Sequence, residues 1–154
     1  MSTTQAGVGL GRVFNVLGVG VGNVMSVKEC AAWSVIVESS GAATITVQAA
    51  KTFTGTPANW TAANGFTQPT YWYQAAAPDG TVAWTKQTAS WSTATLTIAA
   101  TNTYMSVIPF FGTQLADGYC YFKISASANT TYVAVVTHDL QVQRTPANLA
   151  KLGA

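Results

Sequence analysis

The sequence predicts an all-β, single-domain chain, folded as an antiparallel β-sandwich or barrel of about eight strands. Three observations support this prediction. Apolar residues alternate with threonine, serine and other polar residues, turn residues separate these runs at regular spacing, and 154 residues suffice for one domain with a sizeable core. Alternation with period two is the pattern of a strand that has one buried and one solvated face.

The first part of the chain is rich in glycine and predicts extended backbone. Residues 1–11 carry Gly7, Gly9 and Gly11 among small residues, so we expect an N-terminal arm that packs little on its own. The apolar run 13–27 contains three more glycines. Each would destabilise a helix by about 1 kcal/mol relative to alanine. A strand or an extended crossing segment is therefore expected there.

The clearest alternation begins at Trp33, which shares one predicted strand face with Val35 and Val37. After the turn residues 39–41, the run 43–48 alternates in the same way, and the two segments together predict a hairpin with one wet face. Further strands are predicted at 94–98, 104–108, 120–124 and 132–142. Pro109 is expected to end the second of these strands.

The stretch 52–80 is rich in proline and aromatic residues and predicts a long loop or an inserted small hairpin. Its last residues, Pro78-Asp79-Gly80, form a turn signal, after which a hairpin is expected, running through Val82 and Trp84. At the other end of the chain, Thr145 and Pro146 suit the N-cap and first residue of a short helix. The predicted organisation is therefore an arm at 1–11, a β-sandwich domain at 12–144 and a helical tail at 145–154.

The composition excludes several classes of partner. Charged residues make up 8% of the chain, against about 25% in ordinary soluble domains. The seven Lys and Arg are scattered singly, so they form no stripe that could follow a phosphate backbone, and no nucleic-acid partner is predicted. No apolar run has membrane length and no secretion signal opens the chain, so we expect a soluble, unexported protein without a membrane partner. A weakly charged surface favours association between copies.

The sequence offers little that could carry catalysis. Its single histidine, His138, is in phase with the more apolar side of its predicted strand, which favours a structural role, and Asp139 points to the opposite face. The five acidic residues are dispersed, with no pair at metal-ligand spacing and no nucleophile-elbow motif. We therefore predict a non-enzymatic protein with no catalytic residues, no metal site and no cofactor.

Cys30 and Cys120, the only cysteines, are ninety residues apart in predicted strands. Their number excludes a cysteine-rich metal cluster and a dense disulfide framework. Two interpretations remain: a pair of thiols in or near the core, or a single bridge between neighbouring strands.

An aromatic cluster is the one feature that could carry recognition. Alternation puts Tyr71 and Tyr73 on one face and Trp72 on the other. Such rings either fill a core and an oligomer interface, which is the favoured interpretation, or form a platform for stacking on sugar rings. The candidate interface residues are Trp60, Tyr71, Trp72, Tyr73, Trp84 and Trp91.

The glycine-rich arm, the Thr- and Ala-rich strands at 43–47 and 94–98, the scarcity of charge and the helical tail together resemble structural proteins of tailed-bacteriophage heads. The nearest group is the capsid decoration, or cement, proteins, and the resemblance covers most of the chain. It implies a virion protein that is assembled in the host cytoplasm and binds the capsid exterior. The implied partners are the major capsid protein and further copies of the chain, with a trimer favoured. A carbohydrate-binding β-sandwich, or an adhesin or tail-fibre module, is the alternative function.

Overall fold

A computed structural model describes residues 14–18, 24–28, 30–74, 82–87, 91–92, 94–98, 105–127 and 130–139. These residues form strands and loops, with short 3-10 turns at Ala62–Asn64 and Gly112–Gln114. The predicted arm at 1–11, the turn at 78–80 and the C-terminal helix at 145–154 lie outside the described residues.

The strands form two sheets in which every pairing is antiparallel, as the fold class requires. Sheet A has the strand order β1 (Phe14–Gly18), β12 (Thr130–Asp139), β3 (Cys30–Ser39), β10 (Met105–Phe111), β6 (Tyr71–Gln74), β7 (Thr85–Gln87). Sheet B has the order β2 (Val24–Ser26), β11 (Tyr121–Ala126), β4 (Ala43–Ala50), β9 (Thr95–Ile98), β8 (Trp91–Ser92), and β5 (Ala58–Asn59) pairs with the end of β4.

The two sheets share one core, and aromatic rings form its centre. Trp33 of sheet A is fully buried and stacks on Phe110 of the same sheet, with 5.7 Å between ring centroids and 4° between the planes. Its ring also meets Phe122 of sheet B edge-on at 5.5 Å. The inner faces of the sheets are therefore in contact, because rings from both lie within van der Waals reach of each other.

The alternation predicted for β3 and β4 is confirmed, but the predicted hairpin is wrong. Trp33, Val35 and Val37 are buried in β3, and Ala43, Ile45 and Val47 are buried in β4. The two strands nevertheless belong to different sheets. The residues after Ser39 therefore cross from one sheet to the other. A strand buries the same alternate residues whether the next strand lies beside it or faces it across the core, so the pattern could not distinguish the two arrangements.

The predicted strand end at Pro109 is also wrong, because β10 continues through this residue to Phe111. Pro109 lies opposite Ser34 of β3. On its other side, β10 pairs with β6 only over residues 105–107. Among the described strands, none pairs with β10 at Pro109 on that side. A proline, which has no N–H group, therefore costs no hydrogen bond between strands there.

The proline-rich stretch after β4 combines an irregular loop with a hairpin. β6 pairs with β7, and these strands flank the predicted turn, but β7 begins only at Thr85, after Val82 and Trp84. Before them, the loop inserts Trp60 into the core, where its ring stacks on Phe66 at 4.7 Å and meets Phe110 edge-on at 5.1 Å. The Trp60 Nε1–H donates to the carbonyl of Thr67 at 3.0 Å, which satisfies the buried indole. The loop thus closes one end of the core.

Strand β12 buries the less apolar of its two faces. Val133, Val135 and Thr137 lie opposite Val37, Val35 and Trp33 of β3 and are buried. The residues between them, Tyr132, Ala134 and Val136, belong to the outer face of sheet A, where Ala134 is nevertheless only 2% exposed. Apolarity alone therefore did not identify the core-facing side of this strand.

Thr137 provides a test of the core. Its hydroxyl is fully buried and has no hydrogen-bond partner. Thr137→Val removes this buried hydroxyl and keeps the branched shape, so we expect the free energy of unfolding to rise by about 1 kcal/mol. Val135→Thr, the reverse change at the preceding inward position, should lower it by about 1–3 kcal/mol. Urea unfolding of both variants checks this, and a less stable Thr137→Val variant would contradict the described core.

Candidate interaction surface

The outer face of sheet A is apolar across most of its width. One row of facing residues runs through five strands: Ala134, Ile36, Val107, Trp72 and Lys86. Four of these five side chains are apolar. Neighbouring rows add further residues of the same face: Ala32, Ser34, Glu38, Gln74, Met105, Pro109, Phe111, Tyr132 and Val136.

Polar groups are few on this face. Glu38 and Lys86 are its charged residues among those just named, and Ser34 and Gln74 are the uncharged polar ones. Gln74 is buried, and its side-chain amide donates to the carbonyl of Val82 at 2.8 Å. Phe111 and Tyr132, in contrast, are about half exposed, at 52% and 49%. Apolar residues of a sheet that extend over several strands and reach solvent are typical of a surface that binds another macromolecule.

The outer face of sheet B has the opposite character. Its strands carry hydroxyl, amide and amine side chains at the outward positions: Thr44, Thr46, Gln48, Thr95, Thr97, Lys123 and Ser125. Val24 and Tyr121 are exceptions on this face, and the ring of Tyr121 lies 6.3 Å from that of Phe53. The molecule is therefore one-sided, with an apolar outer face on sheet A and a hydrophilic one on sheet B.

The structure separates the six aromatic residues singled out in the sequence. Trp60 and Tyr71 lie in the core, with exposures of 0% and 2%. Tyr73 and Trp91 are partly buried and pack against the core. The indole N–H of Trp91 donates to the carbonyl of Pro69 at 2.8 Å. The other two, Trp72 and Trp84, are exposed.

Trp72 and Trp84 belong to the region of the β6–β7 hairpin at one edge of sheet A. Trp72 lies opposite Lys86 of β7, and Trp84 directly precedes β7. Tyr71 and Tyr73 are on the inner side, which confirms the prediction that they share a face opposite Trp72.

Sequence reasoning missed the centre of this surface. Ile36 alternates with core residues of β3, and this side of the predicted hairpin was expected to be wet, while Val107 was not singled out. A signal was present in β10, where Met105, Val107, Pro109 and Phe111 make the outward side apolar too, and in β12, where Tyr132, Ala134 and Val136 do the same. Strands that are apolar on both sides are expected where both faces are covered.

The described residues hold no group of three or more His, Cys, Asp or Glu side chains that could bind a metal ion. Within the same ranges, no helix is long and apolar enough to span a membrane. Comparison of the chain with protein-family models, with curated proteins and with solved structures found no match.

Trp60 and Trp72 should respond oppositely to truncation. Trp60→Ala removes a ring from the packed core, so we expect the free energy of unfolding to fall by about 3–5 kcal/mol. Trp72→Ala removes an exposed ring, and the expected loss is below about 1 kcal/mol. Denaturant unfolding of the isolated protein measures both. Equal losses would mean that Trp72 is a core residue.

Proposed function

We propose that this chain is a structural virion protein that binds and stabilises the capsid lattice of a tailed bacteriophage from the outside. In this proposal the outer face of sheet A contacts the major capsid protein or another copy of the chain, and the hydrophilic face of sheet B remains in solvent. The protein would assemble in the host cytoplasm as a homo-oligomer, a trimer by the resemblance noted above. It would have no catalytic role.

The one-sided surface is the observation that carries this proposal. Exposure to water is less favourable for the outer face of sheet A than for the threonine-rich face of sheet B, because burial of apolar area stabilises by about 25 cal/mol per Å². The apolar residues concerned are Ile36, Val107, Trp72, Phe111 and Tyr132. Contact through this face would remove the apolar area from water. A protein that coats a lattice requires the same arrangement, with one adhesive face and one solvated face.

The order of the strands supports the same function. In a jelly roll, eight strands named B to I in chain order form the sheets B-I-D-G and C-H-E-F, and viral capsid and lectin domains share this architecture. Here β1-β12-β3-β10 and β2-β11-β4-β9 follow that order, and β5 to β8 are an insertion between the strands equivalent to E and F. We therefore infer a jelly-roll sandwich. Since one fold serves many functions, the order supports the proposal only together with the surface.

The scarcity of charge determines how such a contact would work. With charged residues at 8% of the chain, binding must depend on apolar packing and neutral hydrogen bonds. Each contact can be modest, because a coat repeated over a lattice gains strength through multivalency.

The outer face of sheet A can be tested by adding the same charge to each side of the molecule. Val107→Lys places an ammonium group in the apolar row, and its desolvation on contact should lower affinity for purified undecorated phage heads by tenfold or more. Thr97→Lys makes a matched change on an exposed residue of sheet B and should leave affinity within about twofold. Cosedimentation with heads measures both, after circular dichroism has shown that each variant is folded. Equal affinities would exclude this face as the contact.

Salt provides a second test of the same contact. Affinity of the unaltered protein for heads should change only a few-fold between about 50 mM and 500 mM salt, because few charges are available for screening. Trp72→Ala should weaken binding by about 2 kcal/mol if this ring is an anchor of the interface. Phe53→Ala, which removes an exposed ring near sheet B, is the control and should have little effect. A steep fall of affinity with salt would instead indicate a charge-driven contact.

The two exposed tryptophans favour one alternative, a carbohydrate-binding module. Trp72 and Trp84 are both exposed in the region of the β6–β7 hairpin, and such rings can stack on sugars. A glycan array and calorimetry on its hits would separate the functions. Saturable glycan binding that Trp72→Ala and Trp84→Ala both remove, without binding to any capsid lattice, would support the carbohydrate module.

A further inference from the structure

A cavity of about 400 Å³ lies where β3 begins and the chain approaches β11, and both cysteines line it. Cys30 is the first residue of β3 in sheet A, and Cys120 directly precedes β11 in sheet B. No disulfide joins them in the structure. The fold thus brings the two cysteines of the chain to one site from opposite sheets.

Backbone hydrogen bonds hold the two cysteines next to the same residue. The Val27 N–H donates to the carbonyl of Cys120 at 2.9 Å, and the Cys30 N–H donates to the carbonyl of Val27 at 3.1 Å. Val27 is itself buried. Because each cysteine is bonded through its backbone to Val27, the distance between them cannot vary much while the fold is intact.

The two thiols differ in access to solvent. Cys30 is 4% exposed and belongs to the core, whereas Cys120 is partly exposed. Cys120 precedes the buried Phe122 by two residues, so alternation turns it inward as well. Its thiol lies 3.4 Å from the carbonyl oxygen of Lys51, which is a weak hydrogen bond. Rotation about the Cα–Cβ bond of Cys120 would break this hydrogen bond.

We propose that this cavity is a thiol–disulfide exchange site, in which Cys120 reacts with a small-molecule disulfide such as oxidised glutathione and Cys30 completes the exchange. The Cys120 thiol gives up its proton and attacks one sulfur of the reagent, whose S–S bond breaks and releases one small thiolate. The Cys30 thiol then gives up its proton and attacks the Cys120 sulfur, which expels the second small thiolate. The two protons end on the released thiols, so two protein thiols are oxidised and one small disulfide is reduced.

The walls of the cavity suit this chemistry. A Cβ atom at Gly112 would lie 3.2 Å from the carbonyl oxygen of Cys30, so a glycine allows the chain after β10 to pass directly over the buried cysteine. Lys28 is exposed and lines the same cavity, where its ammonium group would attract the carboxylates of glutathione. The product would be a covalent link between sheets A and B.

Oxidised glutathione added to the folded, reduced protein tests this inference. We expect loss of both thiols in an alkylation assay, a decrease of two hydrogens in the intact mass, and a peptide that joins residues 30 and 120. Because the link closes a long loop, Tm should rise by about 10 °C. Unreacted thiols, a stable glutathione adduct on the unaltered protein, or links only between copies would each overturn the inference.

Single replacements assign the order of the steps. Cys30→Ser, or Cys30→Ala if serine disturbs the core, should stop the reaction at one glutathione bound to Cys120. Cys120→Ser should remain unmodified while folded, because Cys30 is buried. Rapid modification of Cys30 in that variant would overturn the assigned order. The assay uses the isolated protein, so its outcome is independent of capsid binding.

Discussion

The packing of Trp33 between the sheets is the contact on which the rest of the structure depends. Its ring stacks on Phe110 within sheet A, and meets Phe122 from sheet B and Trp60 from the loop after β4. Three otherwise separate parts of the chain therefore bury their largest side chains against one indole. A cluster of this size supplies much of the apolar area that a chain with few charges and no disulfide in the structure needs for stability.

The two sheets share one core but differ in the side chains on their outer faces. β3 and β10 lie in the middle of sheet A, where their inner residues build the core and Ile36 and Val107 belong to the outer surface. In sheet B, β4 and β9 carry threonines at the outward positions and need no second cover. The one-sided character of the molecule therefore arises from which strands share a sheet.

The segment between β4 and β9 contributes both to the core and to the outer face of sheet A. Its first part, with Trp60 and Phe66, closes the core, and its hairpin of β6 and β7 extends sheet A and carries the exposed Trp72. The aromatic cluster noted in the sequence is thus two groups of rings with different environments. The hairpin widens sheet A by two strands and so enlarges its outer face.

The sequence by itself determined where most strands lie and which residues of β3, β4 and β11 face the core, because period-two alternation translates directly into burial within one strand. It could not determine that β3 and β4 lie in different sheets, that Tyr132 and Val136 face outward, or that Trp60 is buried while Trp72 is exposed. Only the tertiary structure decided these points, and it also brought Cys30 and Cys120 to one cavity. The physical reason is that alternation reports a difference between the two sides of a strand. Which strands become neighbours, and whether the second side is also covered, depends on pairings between residues far apart in the chain.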